Sequence, residues 1–250
     1  MLTALALDSR KNERRLIKGV RKIRKRAGKV RDLDVLTADL AAVHVGGEDE
    51  CHVRLLEHLG AERQKQAAKL RKLVINNRAN LKSRLRKASA YLDNALENAE
   101  PRPALLAAAE SLRLSSELAI PNRFNKGNLH SYRLKLKQLR YVLELALSEH
   151  PKFVDDLGKA KDAIGDWHDW EELIAIANEV LDHRMNCKLI RKLKETADSK
   201  FQHAVRLVEN FRGKYVNTAA QNRKKPPHVE LSPAAIAASA ALSADERRAA

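Results

Sequence analysis

The sequence predicts an all-α protein, built as two pseudo-symmetric antiparallel bundles of the four-helix type with long helices. Three observations carry that expectation. Aromatic residues make up only 4 % of the chain, and its 9 glycines and 7 prolines are few for 250 residues, so strand and turn signals are scarce. Apolar residues amount to 44 %, enough for a core, and they recur at helical spacing; no segment alternates as a strand would. The pattern of a basic amphipathic helix, a Gly-Asp turn motif, a medium helix and a long helix occurs twice.

Leu16, Val20, Ile23, Ala27 and Val30 alternate spacings of four and three, which puts them on one face of an amphipathic helix over residues 10–27. Gly28 marks its end. Asp32 then opens a second helix over residues 32–43, with Leu33, Leu36 and Leu40 on its apolar side; an aspartate there caps free amides and suits the helix dipole. Gly46-Gly47 and the acidic residues after it form a loop. Residues 51–98 form a long helical stretch, with Asn76-Asn77 as the place where it could break. Glu100-Pro101-Arg102-Pro103 is the clearest interruption. Further helices are expected over residues 104–119, 129–150 (stopped by Pro151), 152–164, 166–184 and 188–216, with a loop over 121–128 and a turn at Gly165. From Asn222 onward, Lys224-Lys225-Pro226-Pro227 and an Ala/Ser-rich stretch read as a flexible tail. The organisation expected is a first repeat over residues 1–100, a second over 101–221 and a tail over 222–250.

Charge narrows the function. Lys+Arg total 48 against 32 Asp+Glu, a net charge of +16, and the excess is concentrated in three runs. Residues 10–31 carry Glu13 as their single acid; residues 63–87 and 123–140 carry none. If these runs converge, their summed field attracts a polyanion. Single-strand nucleic-acid binders stack bases on aromatic rings, and here only Phe124, Tyr132 and Tyr141 lie among the cations. A polyanion without bases needs only cations and donors, which points to phosphate. Nucleic acid stays open as a competing polyanion.

Other classes find no support. There is no long uncharged apolar run to cross a membrane, and residues 1–7 are too short and not basic enough for a signal peptide. Cys51 and Cys187 have neither disulfide-framework nor zinc spacing, which suits a reducing, cytoplasmic setting. No Gly-rich Lys-Ser/Thr loop, metal-binding His-Glu pair or Glu-x-x-His is present, so no cofactor, metal or catalytic residue is expected. Asp32, Asp34, Asp166 and Asp169 are the repeated carboxylates, read as caps and as ion-pair partners that orient arginines.

The sharpest local signal is His130, Arg133, Lys137 and Arg140. At about 100° per residue these four share one narrow helical stripe. Leu129, Leu136, Leu139 and Val142 face elsewhere, toward the core. Three permanent cations and an imidazole suit a wet cleft that holds an anion: Arg offers a forked donor pair, Lys a compact charge.

His130-x-x-Arg133-x-x-x-Lys137-x-Leu139-Arg140-Tyr141 resembles the signature helix of the CHAD family, the conserved histidine α-helical domain. Gly28–Val35, with Arg31, Asp32 and Asp34, resembles the family's first-repeat turn, and Gly165-Asp166 with Asp169 its second. The resemblance covers residues 10–215. It implies two four-helix bundles whose basic residues line a groove or pore that binds inorganic polyphosphate without catalysis, in the cytoplasm and in association with polyphosphate granules. It implies His130, Arg133, Lys137 and Arg140 as second-repeat ligands, Lys18, Arg21, Lys22, Lys25 and Arg31 as the first-repeat basic region, and Lys161 as a further ligand. By the resemblance, the first bundle is expected to lack the family's first His-x-x-Arg helix, through either a truncated start or a true loss of that helix. Its lack would leave an apolar face of the first bundle uncovered, a face that a homodimer could cover. A nucleic-acid binder and a weak metal-dependent polyphosphate-processing enzyme are the alternative readings.

Overall fold

The computed structural model describes residues 11–46, 49–97, 113–145, 151–182 and 187–217. Among them there is no strand, as expected of an all-α chain. Five long helices follow one another: α1 Lys11–Ala41, α2 Asp49–Glu97, α3 Lys126–Leu145, α4 Pro151–Val180 and α5 Lys188–Phe211. A π-helical turn, Arg212–Asn217, continues α5. No helix among the described residues is long and apolar enough to cross a membrane.

Three expected breaks are absent. Residues 10–27 and 32–43 were expected as separate helices, but α1 runs unbroken through Gly28 and Asp32. A mid-helix glycine costs about 1 kcal/mol, and α1 recovers that by packing along the whole of its length on α2. Asp32 is therefore no cap: it sits mid-helix, 3.8 Å from Arg31. Gly165 likewise lies inside α4, not at a turn. Pro151 does more than stop the preceding helix. It is the first residue of α4, where its missing N–H is no loss. Nor does Asn76-Asn77 interrupt α2; Asn77 returns its side-chain amide to the Leu73 carbonyl at 2.8 Å. The tail, the expected boundary near residue 101 and the N-terminal ten residues lie outside the described residues.

α1 and α2 form an antiparallel hairpin. Asn12 donates to the Arg84 carbonyl at 3.1 Å, Arg26 to Gln66 at 2.6 Å, and Arg63 pairs with Asp34. Near the connection the hairpin is well covered, with Leu36, Leu40, Leu55 and Leu59 almost wholly buried. Toward the other end its apolar stripe is only partly covered. Leu16, Ile23 and Ala27 are half-buried, while Val20, Val74, Ile75 and Leu85 are exposed.

Two cores organise the rest. The first joins Leu33–Leu59 of the hairpin to Trp170, Leu173 and Ala177 of α4 and to Leu189, Leu193 and Ala197 of α5. The second joins Leu129, Leu136 and Leu139 of α3 to Leu157 and Ile164 of α4 and to Ala204 and Val208 of α5. α4 and α5 thus serve both. Trp167 enters one core and Trp170, three residues on, the other. Cys51 and Cys187 are free and buried in the first core.

Continuity of α1 can be tested at Gly28, where an added Cβ would meet nothing within 4 Å and the backbone is helical. Gly28→Ala should raise unfolding stability in urea by about 0.5–1 kcal/mol. A loss of stability would show a break at that position.

Candidate functional site

The site begins with how α3 is started. Asn125 accepts from the Gly127 and Asn128 amides at 2.9 and 3.1 Å, while Asn128 accepts from the Asn125 amide at 3.0 Å. This reciprocal cap satisfies amides that a helix start leaves free. It also starts the helix three residues earlier than expected, at Lys126. Behind it, Tyr132 donates to the Leu118 carbonyl at 3.2 Å, and Arg212 reaches the Ala119 and Pro121 carbonyls at 2.9 and 2.6 Å. These bonds fix the loop before α3 and the rotation of α3 about its axis.

That rotation buries Leu129, Leu136 and Leu139 completely and leaves His130, Arg133, Lys137 and Arg140 half-buried on the other side. The expected stripe is therefore real, and it faces α4. The Arg133 guanidinium lies directly on Gly165: a Cβ added there would stand 2.8 Å from one of its terminal nitrogens. Arg140 lies over Gly158, with a terminal nitrogen 3.7 Å from the same construction. Two arginines seven residues apart thus cross two glycines seven residues apart. Lys161 lies between the two glycines on the same face of α4, half-buried and 2.6 Å from Asp162. Lys137 stands 6.0 Å above the Tyr141 ring.

At the Arg133 end the charges become mixed. The His130 ring packs edge-on against His168 at 4.4 Å between centroids. His130 Nδ1 and Arg133 Nε are shielded from water and have no hydrogen-bond partner. Burial, with His168 and Arg133 adding to it, holds the His130 imidazole below its ordinary range, so the neutral form is favoured. Asp169 moves the other way. Burial, helped by Asp32, pushes its carboxyl up to about 6 despite the nearby positive charges of Arg133, His168 and Arg31. Arg31 and Asp32 of α1 are therefore within electrostatic reach of Asp169 on α4. One turn before, Asp166 binds Lys200 of α5 at 2.8 Å, and Asp39 of α1, raised by burial and by Asp166, lies beside them. Asp34 and Asp166 act as ion-pair partners, in line with one half of the expectation; none of the repeated carboxylates is a cap.

Lys18, Arg21, Lys22 and Lys25 stand apart from this cluster. All four are exposed, and with Arg14 and Ile17 they line a cleft of about 560 Å³ on α1. At helical spacing Lys18, Arg21 and Lys25 share the α1 face that carries Asp32.

His168, Asp169 and Glu172 bring one ligand atom each within 4.8 Å of one another. A dication there would also meet the guanidinium charges of Arg31 and Arg133, and we assign no metal.

Sequence reasoning passed over His168, Gly158 and Lys200. The first stood in the motif read as a turn. The second had a usable signal, because the Gly158–Gly165 spacing repeats the Arg133–Arg140 spacing. The third has no local signal at all.

The chain belongs to the CHAD family: the family model described as CHAD domain matches residues 2–178. The match takes in α1 to α3 and nearly all of α4, and with them every residue of the cluster described above except Lys200 of α5 and the supporting Arg212. No curated protein and no solved structure matches the chain.

A carboxyl raised in the folded state destabilises the fold above its folded pKa and no longer does so below its unfolded value. Asp169→Asn should therefore raise the melting temperature at pH 7.5 and leave it unchanged at pH 3.5, read by calorimetry at both pH values. Equal melting temperatures at pH 7.5 would mean that Asp169 is solvated like any surface carboxylate.

Proposed function

We propose that this protein binds inorganic polyphosphate, without catalysis, in the recess where α3 crosses α4. The observation that carries this reading is the half-buried stripe of Arg133, Lys137 and Arg140, held over two glycines beside Lys161, with His130 Nδ1 and Arg133 Nε unpartnered at one end. A row of fixed cations spaced along a helix fits an anion that repeats its charge, and it lacks the aromatic platforms that bases require. Polyphosphate binding as a general property of the CHAD family supports the same ligand. Arg31 of α1 adds positive charge near Asp169. Lys18, Arg21, Lys22 and Lys25 extend the positive surface along α1 and serve as the N-terminal contribution to a long chain. Asp32, Asp34 and Asp166 are engaged with Arg31, Arg63 and Lys200, which favours binding over hydrolysis. Granule association in the cytoplasm follows from this ligand.

The exposed row on α1 favours a second reading, sequence-independent binding of nucleic acid. Competition of long-chain polyphosphate against duplex DNA at physiological salt separates the two, with phosphate release followed in parallel. Polyphosphate should win and no phosphate should appear. Equal competition by DNA per charge would favour the second reading, and metal-dependent phosphate release would favour an enzyme.

Within the same assay, Arg133→Glu with Lys137→Glu should remove most polyphosphate binding while the far-UV circular dichroism stays helical. Preserved affinity in that folded variant would move the site elsewhere. Gly165→Ala is a finer probe. The added Cβ displaces only the flexible end of Arg133, so the fold should survive and affinity should fall about tenfold through one lost charge-assisted contact. Unchanged affinity would show that the Arg133 guanidinium need not lie on α4.

A further inference from the structure

We propose that Asp169 makes polyphosphate binding proton-coupled: when phosphate enters the recess, this carboxyl takes up a proton from solvent and changes from a repelling charge into a hydrogen-bond donor. The inference rests on the reading of the recess as a polyphosphate site.

The placement of Asp169 carries the argument. It lies one turn beyond Gly165 on the same face of α4, within electrostatic reach of the Arg133 guanidinium that lies on that glycine. Charged and titratable groups face it from three elements. α1 brings Arg31 and Asp32; α3 brings Arg133, with His130 against His168; α4 itself brings His168 and Glu172. On α5, which also packs against α4, Lys200 is engaged by Asp166. Without a bound anion, the Asp169 carboxylate offsets part of the charge of the half-buried Arg133 and, more weakly, of the exposed Arg31. A phosphate oxygen competes for those same guanidinium groups and places a like charge beside the carboxylate. A negative neighbour raises a carboxyl pKa. Because burial has already brought Asp169 up to about 6, protonation at pH 7 costs only about one pH unit, roughly tenfold in affinity. For an ordinary surface aspartate the same step would cost about a thousandfold. Once neutral, the carboxyl presents an O–H to the phosphate. The Asp169 position therefore sets how strongly the recess holds its ligand at a given pH, and does so independently of His130.

The test is isothermal titration of the whole chain with long-chain polyphosphate from pH 5 to 8, in buffers of different ionisation enthalpy so that proton uptake is counted directly. Terminal phosphates titrate in this range as well, so the reading is the difference between wild type and Asp169→Asn. The Asn variant should bind ~10-fold more tightly than wild type at pH 7 and up to ~100-fold at pH 8, with the two converging at pH 5, and its proton uptake should be smaller. Asp169→Glu should keep the wild-type pH dependence. His130→Gln combined with Asp169→Asn should show the same Asn-dependent gain as Asp169→Asn alone. Parallel pH profiles for wild type and Asp169→Asn, with both binding, overturn the proposal and leave the polyphosphate reading intact. No binding by wild type at any pH overturns the polyphosphate reading itself.

Discussion

The contact on which the site depends is the seating of the Arg133 guanidinium on the bare backbone of Gly165. A guanidinium is large and needs its hydration or a set of partners, so pressing it against a helix is costly unless the helix has room. Glycine supplies that room at the sacrifice of helix propensity, about 1 kcal/mol at each position. The second pair, Arg140 over Gly158, repeats the arrangement two turns away. Together these pairs let α3 and α4 approach closely while the cations stay between them and not on the outer surface. With larger residues at both glycines, the same cations would be pushed out into bulk solvent, where screening weakens any anion they hold.

The architecture around that crossing explains its position. α4 and α5 each contribute one half to the core with the α1–α2 hairpin and the other half to the core with α3. The changeover on α4 falls between Trp167 and Trp170, and the polar residues His168 and Asp169 occupy the interval. They are too enclosed to behave as surface groups and too polar to belong to either core. A shift of α4 against the hairpin would alter the Asp32–Asp169 approach and the His130–His168 contact together. The anion site and the joint between the cores are therefore the same place.

Charge balance follows from this placement. A recess lined only by cations would repel itself when empty, and a recess fully neutralised would not attract phosphate. Here the balance is local. Asp166 is bound by Lys200, and Lys161 has Asp162 beside it, whereas Asp169 is left half-buried among more distant charges. That partial compensation keeps the net field positive while it lowers the cost of holding Arg133 in place. Among the described residues the exposed row on α1 has no such compensation, and its charges act through solvent.

Much of this was legible in the chain itself. Helical periodicity in Leu16–Val30 and the spacing of His130, Arg133, Lys137 and Arg140 depend only on steps along one helix, so the all-α class and the cation stripe could be read directly. Gly28 and Gly165 were misread as helix ends because local propensity is a weak term. Continuous packing on α2 in one case, and a close helix crossing in the other, outweigh it. The Asn125–Asn128 cap was hidden because asparagines also mark loops, and only the reciprocal hydrogen bonds distinguish a helix start from a turn. Sequence alone determined which side chains share a face, since that is set by 3.6 residues per turn. The tertiary structure alone decided which face meets which. The pairing of Arg133 with Gly165, the approach of Asp32 to Asp169 and the Asp166–Lys200 ion pair join residues far apart in the chain, and their energies arise from burial and Coulomb forces between helices, which no local pattern encodes.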